Sequence, residues 1–120
     1  MKTILAAVFA ATIATAAFAQ DAKPSTVAAV YKEKATLSGK PVQVKGKVVK
    51  VNNGIMGRNF VHVQDGTGAA ADGSNNLILT SKDTANVGDS ITATGVVTLN
   101  RDFGMGYSYP LLIEETRITK

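Results

Sequence analysis

The sequence has 120 residues, with 13 Lys or Arg, 9 Asp or Glu, one His, no Cys and a formal net charge of +4. Without cysteine there is no disulfide, no thiolate nucleophile, no Cys-ligated zinc and no covalently attached haem. The mild basic excess favours anionic partners, and the length suits one domain.

The chain opens with a positive residue, Lys2, then runs almost without polarity from Ile4 to Phe18, and places small residues in Ala17-Phe18-Ala19. This pattern predicts a cleavable secretory signal peptide over residues 1–19, with cleavage near Ala19-Gln20 and a periplasmic or secreted product. The apolar run is shorter than the roughly 20 residues a membrane span needs, and no later stretch is apolar enough to cross. No membrane span is therefore expected in the mature chain.

Residues 20–41 read as a linker and an N-terminal helix. Ser25 is the expected cap, Val27, Val30, Tyr31 and Leu37 share one stripe, and Lys32, Glu33 and Lys34 face water. Gly39 and Pro41 end the helix. Period-two alternation then predicts a strand over Val42–Val51, bent at Gly46, with Val49 breaking the phase. A glycine-rich loop, 52–59, precedes a second strand, Phe60–Gln64, and the turn Asp65-Gly66-Thr67-Gly68. Connecting stretches flank a third strand at Leu77–Thr80. A fourth runs from Ser90 to about Leu99, with Gly95 inside it; after a second glycine-rich loop, 100–107, a fifth covers Tyr109–Ile118.

The fold class is thus all-β with one short N-terminal helix, and residues 42–120 are expected to form a five-stranded barrel. Glycines inside the first and fourth strands let them bend round a small barrel, whereas an immunoglobulin-type sandwich wants about seven strands.

Three segments carry a resemblance: Val44-Lys45-Gly46-Lys47-Val48-Val49, Phe60 through Gly68, and Val87-Gly88-Asp89 followed by Thr94-Gly95-Val96-Val97. They resemble the anticodon-binding-like branch of OB-fold nucleic-acid-binding domains. Ile55 through Gly68, with Asp102 through Tyr107 and Tyr109-Pro110, is also similar to a group of small exported bacterial OB proteins labelled DNA-binding or of unknown function. The resemblance covers the chain from about Ser25 and implies a five-stranded OB-fold Greek-key barrel with single-stranded nucleic acid as its ligand. In that fold the two glycine-rich loops rim one binding face.

Those loops bring Met56, Arg58 and Phe60 on one side and Arg101, Phe103, Met105 and Tyr107 on the other. Aromatic rings stack on bases, arginine stacks and neutralises phosphate, and methionine conforms to irregular apolar surfaces. Arg58 and Arg101 are therefore expected on one rim. In the alternative reading, Ile55, Phe103 and Tyr109 plug the barrel end. His62, in phase with Phe60 and Gln64, joins the candidate ligand-binding residues, but one histidine without cysteine makes a poor metal site, and no metal or cofactor is expected. Asp65-Gly66-Thr67-Gly68 lacks the Gly-Lys-Ser/Thr of a phosphate loop and reads as a turn.

Glu114 and Glu115 are expected on opposite faces of their strand, unable to form an acid/base pair. Asp72, Asp83, Asp89 and Asp102 fit turn chemistry. No catalytic constellation is present in the sequence, so a non-enzymatic binding module is expected, taking single-stranded nucleic acid or another extended anionic ligand. The alternative is an assembly accessory that docks an exported protein, such as a redox partner, through Ile55, Met56, Phe103 and Met105.

Overall fold

The structure is a computed structural model that describes residues 22–120. The signal peptide expected over 1–19 lies outside the described residues. The elements are β1 (Lys23–Pro24), α1 (Val27–Lys32), α2 (Lys34–Leu37), β2 (Pro41–Ile55), β3 (Arg58–Gln64), β4 (Leu77–Ser81), β5 (Ser90–Asp102) and β6 (Ser108–Thr119), with a 3-10 turn at Ala70–Asp72. Among the described residues no helix is long and apolar enough to cross a membrane.

The protein is mostly β, and its strands form one six-stranded sheet instead of the five expected. Pairing runs β1-β2-β3-β4-β6-β5, and β2 also pairs with β5, so the sheet curls back on itself. The curl is uneven, because the parallel β4–β6 seam holds only the pairs Leu79–Ile113 and Ser81–Thr116. The extra strand is β1, laid parallel to Val42 and Gln43. Two residues without alternation give no strand signal in the sequence.

The valines of β2 explain its course. Val42, Val44 and Val48 are buried while Lys45 and Lys47 are exposed. Val48 pairs with Val63 but Lys50 pairs with His62, so Val49 is an extra residue, and beyond this bulge Val51 takes the inward phase. At Gly46 an added Cβ would stand 2.4 Å from Val63 Cγ1 and 2.8 Å from the Gln64 carbonyl oxygen. Glycine thus lets β2 change partner from β5 to β3. Val61, Val63, Leu77, Leu79, Ile91, Val97 and Ile113 complete the core, and Val27, Val30 and Leu37 close it from the helices.

The expected helix stripe is buried as read, with Tyr31 packed at its edge, but the helix breaks at Glu33 into two pieces. Its cap is Thr26, not Ser25: Thr26 Oγ1 accepts the Ala29 N–H at 3.0 Å. The Ser25 N–H instead donates to the Gln43 carbonyl, which ties that residue to the sheet. The Asp-Gly-Thr turn completes the cap, as Asp65 Oδ2 accepts from Val27 N at 2.9 Å and Thr67 Oγ1 from Ala28 N at 3.0 Å. A turn that the sequence marks as a simple reversal therefore also fastens the helix to the sheet.

Candidate functional site

The first glycine-rich loop is strand except at Met56-Gly57, whereas the second is strand only as far as Asp102. Ile55 pairs with Arg58 across a two-residue turn, Met56-Gly57, in which both residues have positive φ (52° and 77°), the signature of a type I′ hairpin. The second arm pairs Asp102 with Ser108, and Phe103 through Tyr107 turn between them. There the Phe103 N–H donates to the Tyr107 carbonyl, and the Gly104 N–H to Asp102 Oδ1. The arms exist because antiparallel ladders continue past the core wherever turn residues allow it, here Met-Gly in each case. Asn59 anchors the first arm by accepting from Gly54 N and donating to the Asp83 carbonyl.

On β3 the register separates two faces. Val61 and Val63 join Leu79 and Leu77 in the core, while Phe60 and His62 lie in the opposite phase, beside Thr80 and Ile78 and, across β2, Asn52 and Lys50. Phe60 is nevertheless only 1% exposed. Rings from the other arm cover it: Phe103 stands edge-on with centroids 5.7 Å apart, and Tyr109 is tilted at 5.5 Å. This aromatic group stands apart from the main core.

Both arginines converge on it. The Arg58 guanidinium lies 4.9 Å from the centre of the Phe103 ring and that of Arg101 4.6 Å, although the two are 43 positions apart in sequence. The expectation of a shared rim is met. Arg101 Nε also lies 3.5 Å from Glu114 Oε2, within ion-pair distance but beyond a normal hydrogen-bond length, and this buried nitrogen has no hydrogen-bond partner. At the tips Met56, Tyr107 and Met105 are 39%, 40% and 93% exposed.

Not all candidate residues meet. Arg58, Phe60, Arg101 and Phe103 form one contact group, with Met56, Met105 and Tyr107 on the turns around it. His62 stands two residues further along β3, where Asn76 Nδ2 lies 3.2 Å from its Nδ1. Burial pushes its pKa below the ordinary value, and the neighbouring Lys50 ammonium lowers it further. It is a hydrogen-bonded side chain on the same face. Among the described residues no three His, Cys, Asp or Glu side chains gather as a metal would require.

Glu114 and Glu115 sit at an irregularity of β6. Thr94 pairs with Arg117 and Val96 with Glu114, so β6 carries one residue more than β5, and it exceeds β4 by one as well. Glu115 takes a left-handed conformation at this bulge, φ 52°. Strict alternation is interrupted there, and Glu114 and Glu115 are both among the residues around a recess of about 130 Å³, with Arg58, Thr80 and Lys82. The contact of Glu114 with Arg101 joins two strands, so neither residue's own neighbours in the sequence signal it. A wider trough of about 630 Å³ lies around Lys45, Lys47, Gln64 and Ser90, but it is open and has no aromatic or arginine side chain in its lining.

Three of the four loop aspartates follow turn chemistry: Asp72 accepts from Ser74 N, Asp89 from Asn86 N and Asp102 from Gly104 N, each fixing local backbone. Asp83 departs from it, since its carboxylate accepts from Ile118 N, 35 positions on, and ties its loop to β6. In comparisons with known proteins, no family model and no curated protein matches this chain.

Proposed function

We propose that this chain is a small exported binding module of the OB type, without enzymatic activity, that holds an extended anionic ligand across the face between its two hairpin arms. Single-stranded nucleic acid is the candidate ligand. The cyclic order β2-β3-β4-β6-β5 with β2 meeting β5 supports the OB reading, since a five-stranded Greek-key barrel requires that order. The observation that carries the binding reading is the convergence of Arg58 and Arg101 on Phe103. Two cations held against one ring offer charge for phosphates and flat surfaces for bases.

The test is fluorescence anisotropy with a labelled oligo-deoxythymidylate at low and moderate salt. Binding should weaken steeply with salt, and the Arg58→Ala/Arg101→Ala variant should lose about tenfold or more in affinity while melting as the parent does. Absence of binding at low salt removes nucleic acid as the ligand.

One observation favours a second reading, in which the arms dock an exported protein. Met105 at 93% exposure, with Met56 and Tyr107 also exposed on the turns of the two arms, is an apolar presentation that suits a protein surface. Recovery of one stoichiometric partner from periplasmic extract, lost when both methionines become aspartate, would decide for it.

A further inference from the structure

We infer that Glu114 is an internal anionic competitor for Arg101, which a ligand must displace, so that the rim selects ligands with at least two anionic groups. This rests on reading the rim as an anion-binding surface. Arg101 is held at two places. Its guanidinium stacks on Phe103 at 4.6 Å, which leaves the edge of the planar fork open, and Glu114 Oε2 approaches that edge at 3.5 Å. The approach neutralises charge without making the hydrogen bond that Nε needs, and Nε is left buried and unpartnered. An oxygen in the guanidinium plane would satisfy it and gain the strength of a charge-assisted bond that Glu114 does not supply.

A displaced Glu114 carboxylate has somewhere to go. Glu114 borders the recess of about 130 Å³ that Lys82 also lines, so its side chain can turn from Arg101 towards Lys82 and leave Arg58 to the ligand. Glu114 lies on the arm side of the bulge at Glu115, in the unbroken register that runs from Val96 and Glu114 to Asp102 and Ser108. Among the described residues Arg58 has no carboxylate within ion-pair distance, so the resting rim shows one available cation and one occupied cation. A monoanion is met by Arg58 alone. A ligand with two spaced anionic groups engages Arg58 and replaces Glu114 on Arg101.

The experiment compares the parent with Glu114→Gln, Glu114→Asp and Glu33→Gln by anisotropy with labelled oligo-deoxythymidylate at low salt. Glu33 pairs with Lys23 in the helical segment, so its substitution removes the same charge outside the rim. Glu114→Gln should bind about fivefold more tightly, the scale of one partly exposed ion pair. Glu114→Asp, which keeps the charge but shortens its reach, should fall between Glu114→Gln and the parent, and Glu33→Gln should stay within about twofold of the parent. Parent binding with no tightening in Glu114→Gln, or equal tightening in Glu33→Gln, overturns the competitor role while the binding reading stands. Failure of the parent and every variant to bind overturns the reading of the rim and this inference with it. The Arg101 Nε–H resonance gives a ligand-free readout: it should move in Glu114→Gln, and an unmoved resonance refutes the pairing.

Discussion

Met105 combines two properties that separate stability from function. Its φ of 56° places an unbranched side chain in the left-handed region, and its 93% exposure means that almost nothing packs against it. A left-handed L-residue costs roughly 1–2 kcal/mol, and asparagine, which tolerates this region far better, should relieve about half of that. Because the side chain is nearly bare, Met105→Asn forfeits almost no buried apolar area, so the relief is not offset by a packing loss. Glycine would relieve more strain but would also gain entropy in the unfolded chain, which makes it the poorer comparison. The expected net gain is about 0.5–1 kcal/mol, or about 2–8 °C in Tm for a domain near 100 residues. Thermal unfolding by circular dichroism measures it. If the tip contacts ligand, the same variant binds oligonucleotide or protein partner more weakly, the usual exchange between stability and function. A lower Tm refutes the strain argument; a higher Tm with unchanged binding removes Met105 from the contact surface.

Two further outcomes test the frame that carries the arms. Gly95→Ala should cost about 3 kcal/mol or more, because its Cβ would stand 2.7 Å from the Glu114 carbonyl oxygen, Ile113 Cγ2 and Thr116 Oγ1 at the bulge; chemical denaturation that shows less than about 1 kcal/mol would mean that β6 shifts freely there. Burial pushes the Asp65 carboxyl up, but hydrogen bonds from the Thr67 hydroxyl and from the Val27 and Thr67 N–H groups outweigh it and hold the pKa below the ordinary value. A carboxylate lowered on folding contributes stability that is fully present above its unfolded pKa of about 3.9 and is lost as pH falls through the folded value. Asp65→Asn should therefore be less stable at neutral pH and lose less on acidification below about pH 4, as denaturation midpoints across that range would show; parallel pH curves for the two proteins would refute the capping role.

Much of this architecture was legible in local pattern. The valines at 42, 44 and 48 against Lys45 and Lys47 mark a half-buried strand by themselves, because a side-chain period of two leaves no other way to bury them. The phase break at Val49 and the glycines at 46 and 95 mark its bends. The Val27, Val30 and Leu37 stripe likewise specifies which helix face is covered. The candidate site was legible in part: Arg58 and Arg101 were expected together on the strength of a resemblance, while nothing in their immediate neighbours indicates a shared ring. What only the tertiary structure decided is whatever depends on a second segment. Thr26 caps the helix because the backbone of Ser25 is taken by Gln43, and Phe60 is buried out of phase because Phe103 and Tyr109 arrive from another hairpin. Glu114 meets Arg101 although its ladder partner is Val96 and that of Arg101 is Tyr109, a contact that no pairing rule of a flat ladder indicates. A sequence states each residue's own preference for burial and turn geometry, but register is a property of two strands at once, so a bulge and the side chains it re-aims exist only after the sheet has assembled.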